Sequence, residues 1–126
     1  MAEYIEPRLA AGESVVCDRF IASSLAYQGV ARKLGVQAVA RVNELALADL
    51  KPDLTVLLDV AADAAASRIE RDLDRIEQAS LADVVTDSYR TFAAEDPHGW
   101  LVIEASGSIE EIHKRIRGAV LERLGR

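Results

Sequence analysis

Three groups of side chains in this sequence could do chemistry. Asp18 and Arg19 are adjacent and follow the short apolar run Ser14-Val15-Val16-Cys17. Such a run reads as a strand covered on both faces, which places the charged pair where the strand leaves its sheet. Ligands of open α/β sheets bind just beyond the carboxyl ends of strands. A guanidinium there is planar and always charged, and it meets a phosphate with two parallel hydrogen bonds. The same pair also fits an ordinary ion pair. Ser24, Tyr27 and Gln28 follow at i, i+3 and i+4, so on a helix they share a face. A hydroxyl, a phenol and a carboxamide suit a polar ring or a sugar better than an apolar partner helix, although a plain polar surface would use the same residues. The third group is the charged stretch SRIERDLDRIEQ, with Arg68, Arg71 and Arg75 at i, i+3 and i+7 and Asp72 four residues after Arg68. It fits a solvated helix laced with ion pairs of about 0.2–0.5 kcal/mol each. It equally fits a cationic lid that stabilises charge on a phosphoryl group in transfer.

The elements that must position these groups alternate. Residues 2–11 read as a short helix carrying Tyr4, Ile5 and Leu9 and ended by Gly12, in which Pro7 is awkward because proline suits a first helical turn and not an interior. A strand over 14–18 follows, then a helix from Ala22 to Arg32 and a loop between Gly29 and Gly35. A second long helix runs from Val36 to Leu50, with Val39, Val42, Leu45, Ala46 and Asp49 as its mostly apolar stripe, and Lys51-Pro52-Asp53 stops it. Leu54 to Val60 is a buried strand carrying Asp59. Asp63-Ala64-Ala65-Ala66 starts a helix. Ser80 reads as the opening of another, backed by Val84, Tyr89 and Phe92. Residues 95–99 form a turn, and Trp100 to Ala105 is the third strand. Ser108-Ile109-Glu110-Glu111 is a capping box before a helix carrying Ile112, Ile116, Val120 and Leu124. Strands separated by long helical crossovers predict a parallel, three-layer α/β sheet.

Bulk properties narrow the partners. The 126 residues suffice for one domain with a core. The net charge of −6 and the pI near 4.9 argue against a nucleic-acid coat or an anionic membrane as partner. They leave a nucleotide open, since a phosphate site needs only a few local cations and N–H groups. Cys17 is the single cysteine. It reads as a packed small hydrophobe, and its solitude fits a reducing cytoplasm. His98 and His113 give no metal-ligand pattern. No signal peptide and no membrane-spanning run are visible.

The segment DRFIASSLAYQG resembles the DR[YFH]xxSSxAYQG segment of bacterial thymidylate kinases, and LDRIEQ and IEASGSIEEI resemble later parts of the same family. Together they span essentially the whole chain. The resemblance implies a P-loop-NTPase-like sheet of the nucleoside monophosphate kinase type. It implies ATP-dependent phosphorylation of dTMP to dTDP with Mg²⁺, a cytoplasmic location and a homodimer in the full-length family. By the same resemblance Arg19 holds the acceptor phosphate, and Asp18 acts near the metal and the transferring group. Ser24 and Gln28 face thymine, and Tyr27 packs on the deoxyribose. Arg68, Arg71 and Arg75 are the lid arginines, Arg68 reaching ATP. Ser106 and Gly107 lie by adenine, where a plain strand-to-helix turn accounts for them equally well. Phe20 stands where the family often has Tyr, and the lid is shorter than the family's Arg-x-Arg-Gly-rich version.

The sequence contains no G-x-x-x-x-G-K-[ST], the loop that cradles the β- and γ-phosphates. The whole of residues 1–126 therefore resembles the C-terminal portion of a thymidylate kinase domain, about the last three fifths. In the family's strand order two, three, one, four, five, the strands present correspond to three, four and five. The first two are missing, so the sheet is expected to be incomplete. Two readings stay open: part of a dTMP kinase, inactive alone, or a non-catalytic module that binds dTMP or a partner subunit. A deoxynucleoside kinase is a lesser alternative.

Overall fold

The computed structural model of the chain describes residues 2–47, 50–60, 75–123 and 125. Two units are separately compact: Met1–Lys51 with Gln78–Tyr89, and Pro52–Glu77 with Arg90–Arg126.

The first unit is helical. Helix α1 spans Ala2–Ala10 and contains Pro7. Helix α2 is short, Ile21–Ser24, and passes directly into a π-helix, Leu25–Ala31. Helix α3 spans Val36–Leu47. The expected single α-helix over 22–32 is thus corrected: its second part uses the wider π turn, shown by the Arg32 N–H donating to the Tyr27 carbonyl five residues back at 3.0 Å. Gly29 is buried against the start of α3. A Cβ there would lie 3.0 Å from the Val36 Cα, so any larger residue would push the backbone of α3 away.

The expected strand over 14–18 does not form. Residues 14–18 have no strand partner among the described residues, and the side chain of Val16 is 98% exposed. Cys17 is likewise exposed rather than packed. β-Branched residues favour a strand because they fit a pleated, half-buried surface between neighbours. Without a ladder on either side that preference has nothing to act on. The stripe of α3 also differs from expectation. Leu47 is buried and Val36, Val39, Ala40 and Asn43 are half-buried, whereas Val42 is 66% and Leu45 88% exposed. The helix buries the face that meets the π-helix, and apolarity alone did not say which face that was.

Helix α4 spans Arg75–Glu95. Ser80 is therefore interior to it and does not cap it, because Arg75 to Ala79 are all competent helix formers and carry the helix through. Within the first unit α4 buries Val85 and Ser88, and Val84 is exposed. The Ser88 hydroxyl is satisfied by donating to the Val84 carbonyl at 2.6 Å.

The second unit holds a two-stranded parallel sheet, β1 (Thr55–Asp59) and β2 (Trp100–Glu104), with Leu57 opposite Val102 and Asp59 opposite Glu104. Both strands were legible as apolar runs. Among the described residues it buries Ile103, Ala105 and Ala93. Helix α5, Ile109–Arg123, packs on β2 and half-buries Ile112, Ile116 and Val120 as expected. Its capping box is complete. The Glu111 N–H donates to Ser108 Oγ at 3.2 Å, and the Ser108 N–H donates to Glu111 Oε2 at 2.8 Å. Ser108→Ala is expected to destabilise this unit by about 0.5–2 kcal/mol, read as a lower urea midpoint. An unchanged midpoint would show that the box contributes nothing. The helix expected from Asp63 lies outside the described residues.

Candidate functional site

Arg19 is exposed, and its backbone is left-handed, with φ 58. Non-glycine residues avoid that region, and residues held there cluster at functional sites. The turn brings its side chain back onto the π-helix. An Nη of Arg19 donates to the Tyr27 hydroxyl at 3.1 Å, and its guanidinium carbon lies 5.3 Å from the centre of the Tyr27 ring. The hydrogen bond to Tyr27 is the largest cause pushing the Arg19 pKa further up, followed by the electrostatic effects of Tyr27 and Tyr89. The guanidinium is therefore a fixed positive charge, and its remaining N–H groups can meet an anion.

The π-helix redistributes the polar face read from α-helical spacing. Tyr27 turns to Arg19. Gln28 is half-buried, and its Oε1 is fully buried with no hydrogen-bond partner among the described residues. Ser24 is half-buried, and its hydroxyl makes no capping bond. The hydroxyl engaged in tertiary structure is that of Ser23, 2.8 Å from the Tyr89 hydroxyl on α4. The unit thus gathers a cation, two phenols, two hydroxyls and an unpaired carboxamide oxygen. Asp18 is exposed beside Arg19.

In the second unit Gly107 has φ +106, and a Cβ there would lie 2.5 Å from Glu111 Oε2. The positive φ favours glycine there, as a strand-to-helix turn before the capping box requires. The Ser106 carbonyl accepts a hydrogen bond from Arg115 at 2.8 Å, and Ser106, Glu111, Lys114 and Arg115 line a surface cavity of about 410 Å³. Asp59, at the carboxyl end of β1, is gripped by Arg90: Nη2 donates to Oδ1 at 2.8 Å and Nε to Oδ2 at 3.2 Å. Arg68 and Arg71 lie outside the described residues, and Arg75 opens α4.

The sequence profile described as thymidylate kinase matches residues 1–116. This chain belongs to the thymidylate kinase family. It is 42% identical over 119 residues to the thymidylate kinase of Lacticaseibacillus casei, covering 89% of this chain and 56% of that protein. It is 42% identical over 125 residues to that of Symbiobacterium thermophilum, covering 97% of this chain and 58% of the relative. The crystal structure of thymidylate kinase from Ehrlichia chaffeensis superposes with a TM-score of 0.72 at 27% identity, covering 92% of this chain and 53% of that one. The chain therefore spans a little over half the length of the thymidylate kinases it matches, and the fold class is α/β of the kind they share.

Against the family string, the structure brings Arg19 and Tyr27 together and sets Gln28 on the same π-helix. Ser23 and Arg90 were not singled out from the sequence, and Tyr89 was read only as part of the backing of its helix. Ser23 lies inside the thymidylate kinase string and stands four residues before Tyr27, which was the available signal. Tyr89 is 66 residues from Ser23, and Arg90 is 31 from Asp59, so no local spacing could have announced either contact.

Proposed function

We propose that the chain is the C-terminal, acceptor-binding portion of a thymidylate kinase domain, serving ATP-dependent phosphorylation of dTMP to dTDP in the cytoplasm. The observation that carries this reading is Gln28 Oε1, buried with no hydrogen-bond partner among the described residues, on the π-helix whose Tyr27 pairs with Arg19. A buried acceptor without a donor costs about 1–3 kcal/mol. Binding that uncovers this oxygen can bring the N3–H of thymine to it, and cytosine has no proton there. Arg19 offers its free N–H groups to the acceptor phosphate, and the Tyr27 ring offers an apolar face to the deoxyribose. Ser24 adds a hydroxyl. On the ATP side the reading assigns Ser106 and Gly107 to the adenine surround, with Lys114 and Arg115 as nearby cations. It assigns Arg68, Arg71 and Arg75 to the charge on the phosphoryl group.

Mg²⁺ keeps several waters and takes one or two carboxylates together with substrate phosphates. Among the described residues there is no group of three or more candidate metal ligands. Asp18 would supply one carboxylate to such a metal. When bound, the metal neutralises developing charge on the phosphates. Association with a second copy is part of the same reading, and the exposed Val42 and Leu45 are apolar surface that such a contact would cover. Among the described residues no helix is long and apolar enough to cross a membrane.

Calorimetric titration of Gln28→Leu tests the acceptor site. The variant is expected to bind dTMP about 2- to 12-fold more weakly, the range for one hydrogen bond of about 0.5–1.5 kcal/mol. Without ligand it should be no less stable than the parent, because an unpaired polar atom has been removed. Lower unliganded stability with unchanged dTMP affinity would assign Gln28 to the scaffold.

A further inference from the structure

The residues of the acceptor site are tied to α4 through a hydrogen bond that the proposed chemistry does not itself use. Ser23 Oγ and the Tyr89 hydroxyl are 2.8 Å apart and partly buried. Ser23 is the third of the four residues of α2, and the π-helix that carries Tyr27 and Gln28 begins two residues later. On the other side of α2 stands Arg19, left-handed and separated from the helix only by Phe20. Arg19 is solvent-exposed and rests on Tyr27, so its direction depends on where the π-helix holds that ring. Tyr89 is also close enough to act electrostatically on the Arg19 guanidinium. The hydroxyl pair, the phenol of Tyr27 and the guanidinium thus form one patch, held on one side by a four-residue helix too short to fix its own axis.

We propose that Ser23 and Tyr89 are positioning residues for the acceptor site, their hydrogen bond holding the α2–π-helix junction so that Tyr27 stays under Arg19 and directs its free N–H groups outward. The part of this that concerns dTMP rests on the function proposed above. Tyr89 bears on the π-helix through its bond to Ser23. Its helix opens with Arg75, the last arginine of the charged stretch, so one helix carries both this anchor and the end of that stretch.

The test uses the chain of residues 1–126 with isotopically labelled arginine. Tyr89→Phe and Ser23→Ala each remove one hydroxyl. Each is expected to speed rotation about the Arg19 Nε–Cζ bond and to weaken dTMP binding by about 2- to 12-fold, the range for one neutral hydrogen bond. The double variant should be no worse than Tyr89→Phe alone, since Ser23→Ala removes only the bond that Tyr89→Phe has already removed. Ser23→Thr keeps the hydroxyl and should restore both readouts. A merely structural loss would lower helix content by circular dichroism and would not be rescued in Arg19 mobility by threonine. Unchanged Arg19 rotation in a well-folded Tyr89→Phe chain overturns the proposal, as do additive effects in the double variant. If Tyr89→Phe does not fold, the Ser23→Ala and Ser23→Thr comparison decides alone. Release of Arg19 with unchanged dTMP affinity would support the anchoring role and overturn instead the assignment of Arg19 to the acceptor phosphate.

Discussion

Residues 1–126, purified alone and supplied with ATP, Mg²⁺ and dTMP, are expected to release ADP no faster than background. Phosphoryl transfer leaves little covalent work to the protein; its contribution is positioning and charge. Holding reactants in place can supply about 7–11 kcal/mol of a barrier. This sequence has cations but no G-x-x-x-x-G-K-[ST] motif, so it lacks that motif's cradle for the β- and γ-phosphates and its lysine. Side chains such as Arg115 and Lys114 can attract a nucleotide without aligning its terminal phosphate. The chain is also expected to self-associate. Two-stranded sheets are marginal in isolation, and here Leu58 and Val102 are 48% and 50% exposed on the two strands. Adding a separate polypeptide that carries a strand followed by the phosphate-binding loop should restore both turnover and a monodisperse species. A coupled ADP-release assay, with sedimentation run in parallel, checks both. Robust dTMP-dependent ADP release by the chain alone would mean that the ATP site lies elsewhere than assigned.

In the enzyme reconstituted in that way, Arg19→Ala is expected to raise the KM for dTMP far more than that for ATP. A hydrogen bond to a charged partner contributes about 1.5–3 kcal/mol, which is on the order of a 10- to 150-fold loss. The substitution is a fair one. Alanine and arginine are both disfavoured at φ 58, so the backbone cost is similar and the difference reports the side chain. The Tyr27 hydroxyl loses its Arg19 donor but can turn to water, because the pair is exposed. The global cost is therefore small and the loss should appear in acceptor use. Arg19→Lys keeps the charge and loses the planar fork, so it should recover only part of the affinity. Steady-state kinetics with each substrate varied decides. Equal losses for dTMP and ATP would remove Arg19 from the acceptor phosphate.

The string from Asp18 to Gly29 carried most of what could be read about function, because it is contiguous and its residue types are chemically specific. The capping box at Ser108–Glu111 and the strands over 55–59 and 100–104 were legible for a similar reason. Each depends on neighbours in sequence or on a short unbroken apolar run. Where the sequence misled, the missing information was the partner. Ser14 to Cys17 has the composition of a strand, but strand preference is a preference for lying between other strands, and none flanks it among the described residues. On α3 the apolar residues do not mark one face. Val39 is half-buried and Leu45 is exposed, and only the approach of the π-helix through Gly29 selects between them.

Sequence alone determined which chemical groups this protein has and, through local hydrogen bonds and propensities, most of where its helices and strands lie. Tertiary structure alone decided how those groups are aimed. The π turn that separates Tyr27 from Ser24, the Ser23–Tyr89 bond and the Asp59–Arg90 pair each depend on distance or backbone geometry that no spacing rule encodes. A hydrogen bond or an ion pair acts over about 3 Å in space and is indifferent to separation along the chain. Its partners become identifiable only once the backbone has brought them together.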